Sequence, residues 1–205
     1  MTKMDSEEWY SWDKFYKQNK IEEMPWFEKE LDKDVELEIK EISKGVFLDI
    51  GTGPGTQALE LAQRGFSVIG SDIASSAIST AQKISNHVNF VTDDILESKF
   101  EESSFDYILD RGCFHTFRPI QRSRYLNQVS RILKKNGILY LKCMSKEETN
   151  LPEDQGPYKF SIEDIHHYFG NYFEIIKSKK TVYYGKIRPL PKSLFFVMKK
   201  IDSLP

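Results

Sequence analysis

From residue 45 onward, short apolar runs alternate with amphipathic stretches, the pattern of strand–helix units laid around a parallel sheet. A first strand is expected over 46–50, then a Gly-rich turn and a helix over about 56–64 that Gly65 closes as a left-handed C-terminal residue. A second strand at 66–71, a helix over about 74–85 and a third strand at 87–91 continue the alternation. A strand at 105–110 and an irregular segment follow, then a helix over 119–134 with Pro119 at its start. Asn136-Gly137 reads as a turn into a strand at 138–143.

The last third changes character. Ser161 is placed to cap a short helix over 161–169 ahead of Gly170, and two β-rich runs, 173–184 and 194–199, read as an antiparallel pair finishing the sheet. Residues 145–160 carry no periodicity and are expected to form an exposed loop. Upstream, Trp9, Trp12, Phe15 and Tyr16 recur at helical spacing before Met24-Pro25-Trp26-Phe27 interrupts. The expected division is an N-terminal helical cover over residues 1–44 and one α/β domain over 45–205.

The strongest chemical signal is the run from Val46 to Thr56. An apolar strand ends at Asp49, and Gly51, Gly53 and Gly55 let the backbone turn sharply and approach a ligand at a helix N-terminus. Asp72, just past the second strand, is placed to accept hydrogen bonds from two ribose hydroxyls. Read as Gly53-x-Gly55-x-x-Ala58, the loop also satisfies the dinucleotide fingerprint, so glycine spacing leaves two adenosine cofactors open. Asp49 discriminates between them: a carboxylate at the mouth of the loop repels a pyrophosphate and suits an ammonium or sulfonium. A second discriminator is Asp93-Asp94-Ile95, where Asp94 can accept from an adenine amine while Ile73 and Ile95 flank the ring.

Composition excludes little but sets the frame. The 205 residues fit one domain, and 29 Lys plus Arg against 31 Asp plus Glu argue against nucleic acid or a membrane held by bulk charge. No apolar run is long enough to span a bilayer, the start lacks a secretory core, and Cys113 and Cys143 cannot make a disulfide framework. A cytoplasmic monomer or weak dimer with no metal is expected. The neutral total hides a split: residues 1–44 hold 13 acids and 8 bases, whereas 171–205 hold 2 acids and 8 bases. Two complementary faces, or a basic lip for an anionic substrate, are the readings of that split.

Together, LDIGTGPG, the acid in GSDIA, the acid in FVTDDIL, the strand FDYILDRG and the closing KKNGILYLK resemble the successive motifs of the class I S-adenosylmethionine-dependent methyltransferases. The resemblance covers about residues 45–145, and the segment WDKFYKQNKIEEMPWF is similar to the entry of a subgroup acting on small molecules, including thiopurine and tellurite-resistance methyltransferases. It implies a Rossmann-like three-layer fold with a seven-stranded, mostly parallel sheet whose last strand is antiparallel. It further implies that Gly51, Gly53 and Gly55 line the methionine and ribose portion of S-adenosylmethionine, with Asp49 near the methionine amino group. Asp72 would hold the ribose, Ile73 would pack on adenine, and Asp94 with the backbone at Ile95 would read its edge. Arg111 would face the methionine tail and Trp26 would cover the cofactor.

Methyl transfer from a sulfonium is an in-line displacement in which the cofactor carries the activated group, so positioning is the protein's main task. Candidate acceptor-side residues follow the fourth strand. His115, with an ordinary titration range near neutrality, and Arg111 are the candidate catalytic residues; Arg118 and Tyr183 are candidate substrate contacts. No Asn/Asp-Pro-Pro-aromatic motif follows that strand, which lowers the case for adenine, cytosine or glutamine acceptors. A small-molecule acceptor is expected, with a protein lysine or RNA as the alternative. An NAD-dependent reductase and a non-catalytic cofactor-binding module complete the competing readings.

Overall fold

The structure, a computed structural model, describes residues 12–151 and 156–201. Two short helices, α1 (Trp12–Gln18) and α2 (Lys33–Glu38), precede the sheet. There follow β1 (Val46–Ile50), α3 (Thr56–Gln63), β2 (Ser67–Asp72), α4 (Ser75–Ile84), β3 (Asn89–Thr92), β4 (Phe105–Arg111), α5 (Pro119–Ile132), β5 (Leu133–Met144), α6 (Ile162–Phe169), β6 (Phe173–Val182) and β7 (Lys192–Lys200). Strand order is β3-β2-β1-β4-β5-β7-β6, with β7 antiparallel to both neighbours and every other pairing parallel. This is the expected Rossmann-like α/β sheet with its last strand inserted antiparallel.

Both faces of the sheet are covered, which is why its central strands read as near-continuous apolar runs. Phe47, Leu109, Tyr140 and Phe195 pack on the side of α2, α3 and α4 with Val35, Leu61 and Ala81. Their neighbours Leu48, Ile108, Leu141 and Phe196 face the other side, against Tyr125 and Val129 of α5 and Ile165 and Phe169 of α6. Each such side chain contributes about 1.5–3 kcal/mol by leaving water. Met24, Leu31, Val35 and Ile39 are buried as well, so the segment ahead of β1 is built into the core rather than laid over it.

Two boundaries differ from expectation. Helix α5 stops at Ile132, because Leu133 is already extended and pairs with Phe105; the register then shifts, and Tyr107 pairs with Ile138. Asn136, at φ 59, therefore lies inside the start of β5 instead of in a turn ahead of it. The second difference is the expected exposed loop over 145–160, of which 152–155 lie outside the described residues. Ser145 and Phe160 form a parallel bridge, and Phe160 is buried against the Phe114 ring. The buried Glu148 carboxylate accepts from the backbone of Lys192 at 2.7 Å, so this connection folds back on the sheet end.

The charge split is resolved by pairing. Lys177 and Lys179 of β6 meet Glu38 and Asp34 of the N-terminal segment, and Lys180 meets Glu147. Two of these pairs join the closing strands to the N-terminal segment, in line with complementary faces, and no helix among the described residues is long and apolar enough to cross a membrane. The chain crosses from β3 back over β1 to β4, so the strand order reverses between β1 and β4, where open α/β sheets take ligands beyond the carboxyl ends of their strands.

Candidate functional site

Three strands deliver a carboxylate to that edge: Asp49 in β1, Asp72 at the end of β2 and Asp110 in β4, all buried. Asp49 accepts from the Thr52 hydroxyl at 2.6 Å, and burial, only partly offset by this bond and by Arg111, pushes its carboxyl up to about 7. Asp72 accepts from the backbone N–H groups of Gly53 and Ala74, each at 2.9 Å, and burial pushes it up to about 6. Asp72 thus bonds the glycine loop on one side and the residue ahead of α4 on the other.

The glycines divide by what replaces their missing Cβ. At Gly53, φ +53, a Cβ would stand 2.7 Å from the Tyr16 hydroxyl, and at Gly51, φ +63, it would stand 3.2 Å from Cys113 Cβ. Gly55, φ +82, instead faces inward, where a Cβ would meet the Phe90 ring at 2.6 Å. Gly51 and Gly53 therefore border the cleft, whereas Gly55 serves close packing of α3 on the sheet. The cleft is lined by Tyr16, Trp26, Glu28, Asp49, Gly51 to Pro54, Gln57 and Arg111 among others.

Beside Asp72, Ile73 stands half exposed at 51%, next to the cleft. Asp94 Oδ1 accepts from Leu96 N–H at 2.9 Å, capping a short turn that begins at the buried Ile95. Its neighbour Asp93 accepts from Lys99 N–H at 2.9 Å and holds the loop.

Beyond β4 the structure changes the roles expected from sequence. Asp110, not singled out there, organises the turn: it accepts from the N–H groups of Gly112, Cys113 and Phe114 and from the Tyr125 hydroxyl at 2.6 Å. His115 is buried, and its Nδ1 accepts from Met144 N–H at 3.1 Å, which puts the imidazole proton on Nε2. Burial, aided by the positive charge of Arg111, pulls its pKa down to about 3. The expectation of a histidine titrating near neutrality is overturned: His115 stays neutral, as a fixed donor. Replacing His115 by Asn is expected to leave the shape of the pH–rate profile between pH 6 and 8 unchanged, measured as kcat/KM; a lost ionisation in that window contradicts this assignment.

Arg111 likewise holds walls together rather than presenting a free guanidinium. Its Nε donates to Asp32 at 2.9 Å, one terminal nitrogen to Trp26 O at 3.1 Å and the other to Tyr184 O at 2.6 Å. A catalytic role for its side chain is set aside on that geometry. Tyr183 is buried and donates to Lys142 O at 2.7 Å. Arg118 is exposed at the N-terminus of α5, its backbone N–H donating to Gln121 Oε1, and neither Arg118 nor Tyr183 lines the cleft.

The N-terminal segment closes the cleft in two pieces. Residues 26–34 are fixed. Asp32 accepts from Lys142 Nζ at 2.8 Å and from Arg111, Asp34 accepts from Lys142 at 2.7 Å, Lys179 and the Thr181 hydroxyl, and Gln57 of α3 bonds both Asp32 N–H and Glu30 O. Burial pulls the Lys142 ammonium below its usual range, and the two carboxylates partly restore it. The signal for this cluster lay in β5, where Leu139-Tyr140-Leu141-Lys142 puts a charge in an otherwise apolar buried strand. The second piece is α1. Its Trp12 and Phe15 rings pack against Trp26, with the Phe15 and Trp26 rings stacked 5.5 Å apart, and Tyr16 packs against both Trp12 and Phe15. Trp9, expected to join them, lies outside the described residues.

Comparison with known proteins accords with this arrangement. Residues 47–137 match the family described as the methyltransferase domain. An uncharacterized methyltransferase of Schizosaccharomyces pombe is 35% identical over 107 residues, covering 50% of this chain and 72% of the relative. The human EEF1A lysine methyltransferase 2 is 34% identical over 115 residues, 49% of either chain. Among solved structures, a protein described for the conversion of a disulfide bond into a thioacetal group during echinomycin biosynthesis superposes with a TM-score of 0.81 at 22% identity, covering 93% of this chain and 92% of that one. With the reversed seven-stranded sheet, the glycine cleft and these matches in hand, the chain belongs to the methyltransferase family.

Proposed function

We propose that the protein transfers the methyl group of S-adenosylmethionine to a small-molecule acceptor held beneath the aromatic cover. The observation that supports this reading is the wall along the cleft: Arg111 donates to Trp26 O and to Asp32, and Asp32 accepts from Lys142 of the sheet, so the aromatic segment is anchored beside the glycine loop.

The residues present fit the cofactor. Gly51 and Gly53 lack the Cβ atoms that would narrow the cleft, and Asp49 is a buried carboxylate whose raised pKa is relieved by a neighbouring cation. Asp72 would hold the ribose hydroxyls, the half-exposed Ile73 would pack on adenine, and Asp94 with the Ile95 backbone would read the adenine edge. Trp26 would cover the whole from the N-terminal side. Bound there, S-adenosylmethionine supplies an activated methyl group, and orientation alone can contribute about 7–11 kcal/mol to such a displacement. The chain's own work is to exclude water with Trp12, Phe15, Tyr16 and Trp26 and to keep the turn after β4 fixed through Asp110. His115, neutral and with Nδ1 engaged by Met144 N–H, is not the group that takes a proton from the acceptor.

Transfer to a protein lysine is the second reading, favoured by the likeness to EEF1A lysine methyltransferase 2. RNA has less support, since Lys177, Lys179 and Lys180 are paired within the chain. A methyl-transfer assay with labelled S-adenosylmethionine separates them. Turnover on a panel of small thiols and hydroxylated aromatics, insensitive to salt, is the expected result. Labelling of a lysine-bearing protein with no small-molecule turnover would reverse the assignment.

A further inference from the structure

Helix α4 begins three residues after Asp72, and the residue at its N-cap, Ala74, offers no side chain to its free N–H groups. The cap comes from elsewhere. Asp13 of α1 accepts from Ser76 N–H at 2.8 Å and from the Ser75 hydroxyl at 3.1 Å, while the Ser76 hydroxyl donates to the Asp13 carbonyl at 2.9 Å. One turn further along α1, the Tyr16 hydroxyl lies 2.7 Å from where a Cβ of Gly53 would stand. The same seven-residue helix thus touches the element that follows Asp72 and Ile73 and the glycine loop that faces them. Unlike residues 26–34, which Asp32, Arg111 and Gln57 bind to the sheet, α1 is held by this cap and by ring contacts with Trp26.

We propose that Asp13 is a positioning residue that caps α4 in trans, holds Tyr16 over the ribose side of the cleft and thereby sets how fast S-adenosylmethionine enters and leaves. The proposal rests on the cofactor reading above. Closed as it stands, α1 narrows the approach to Asp72, so exchange requires the cap to open and α1 to lift. Asn caps helices as well as Asp does, whereas Ala does not. The two substitutions therefore separate capping from charge.

The test uses the full chain and two readouts. Without ligand, hydrogen exchange at Ser76 and across residues 12–18 is expected to quicken about fivefold or more in Asp13→Ala, with the amides of β1 and β4 unchanged and Asp13→Asn close to wild type. With ligand, stopped-flow dissociation of S-adenosylhomocysteine is expected to quicken by a similar factor in Asp13→Ala and to be restored in Asp13→Asn. Unchanged exchange in Asp13→Ala overturns the cap. Faster exchange with an unchanged dissociation rate overturns its link to the cofactor, and an Asn variant that behaves like Ala overturns the cap and assigns the effect to the charge of Asp13. A wild type that binds no S-adenosylhomocysteine while its exchange responds to Asp13→Ala overturns the cofactor reading and this link with it, but leaves the cap standing.

Discussion

Replacing Asp72 by alanine is expected to weaken binding of S-adenosylmethionine and S-adenosylhomocysteine at least about tenfold, because it deletes a charge-assisted acceptor for the ribose and frees the Gly53 N–H that shapes the loop. Titration calorimetry on wild type and variant reads the effect, and an unchanged affinity refutes the role. A pH dependence accompanies it. Burial raises Asp72 to about 6 and Asp49 to about 7, so both bind a proton more tightly in the folded chain than in the unfolded one. The stability they contribute to the ligand-free protein is therefore greatest near the ordinary carboxyl range of about 4 and falls as pH rises through 6 to 7. Ribose hydroxyls donating to Asp72 and a cation near Asp49 favour the ionised forms. Affinity should thus rise with pH over the same interval, with protons released on binding. In Asp72→Ala the part of that rise near pH 6 disappears while the part near 7 remains.

The second large effect concerns the buried ions behind the cleft. Lys142→Met removes the ammonium that both Asp32 and Asp34 contact, leaving two carboxylates in a place with no water to receive them. Breaking a buried pair in this way costs about 3–5 kcal/mol, far more than any exposed ion pair of this chain. Urea unfolding monitored by circular dichroism reads it as a lowered midpoint. Adding Asp34→Asn to Lys142→Met should recover part of the loss, since it removes one of the two carboxylates that faced the ammonium while Asp32 keeps Arg111. A loss under about 1 kcal/mol in the single variant would mean that Lys142 is not the counter-ion described here.

How much of this was legible in the sequence follows physical lines. Apolar runs bounded by Gly and Asp gave the strands around 46–50, 67–72 and 105–111, because a strand covered on both faces has little choice of composition. The acids closing those strands were legible at Asp49 and Asp72 and were missed at Asp110, although it obeys the same rule. The start of β5 was misplaced because Asn136-Gly137 is a turn signal locally, and pairing of Leu133 with Phe105 overrides it. His115 shows the other limit. Its residue type suggests a proton carrier, but its pKa is set by burial and by Met144 N–H, a neighbour 29 positions away that no local pattern announces. Likewise the Asp32–Lys142 contact spans 110 positions; only the anomaly of a lysine in an apolar strand points to it.

The central claim is that the cleft between β1, β2 and the turn after β4 is a S-adenosylmethionine site. Calorimetric titration of the wild-type chain with S-adenosylhomocysteine tests it most directly. One-to-one binding that saturates below about 1 mM is the predicted result, and no binding at millimolar ligand would contradict the account.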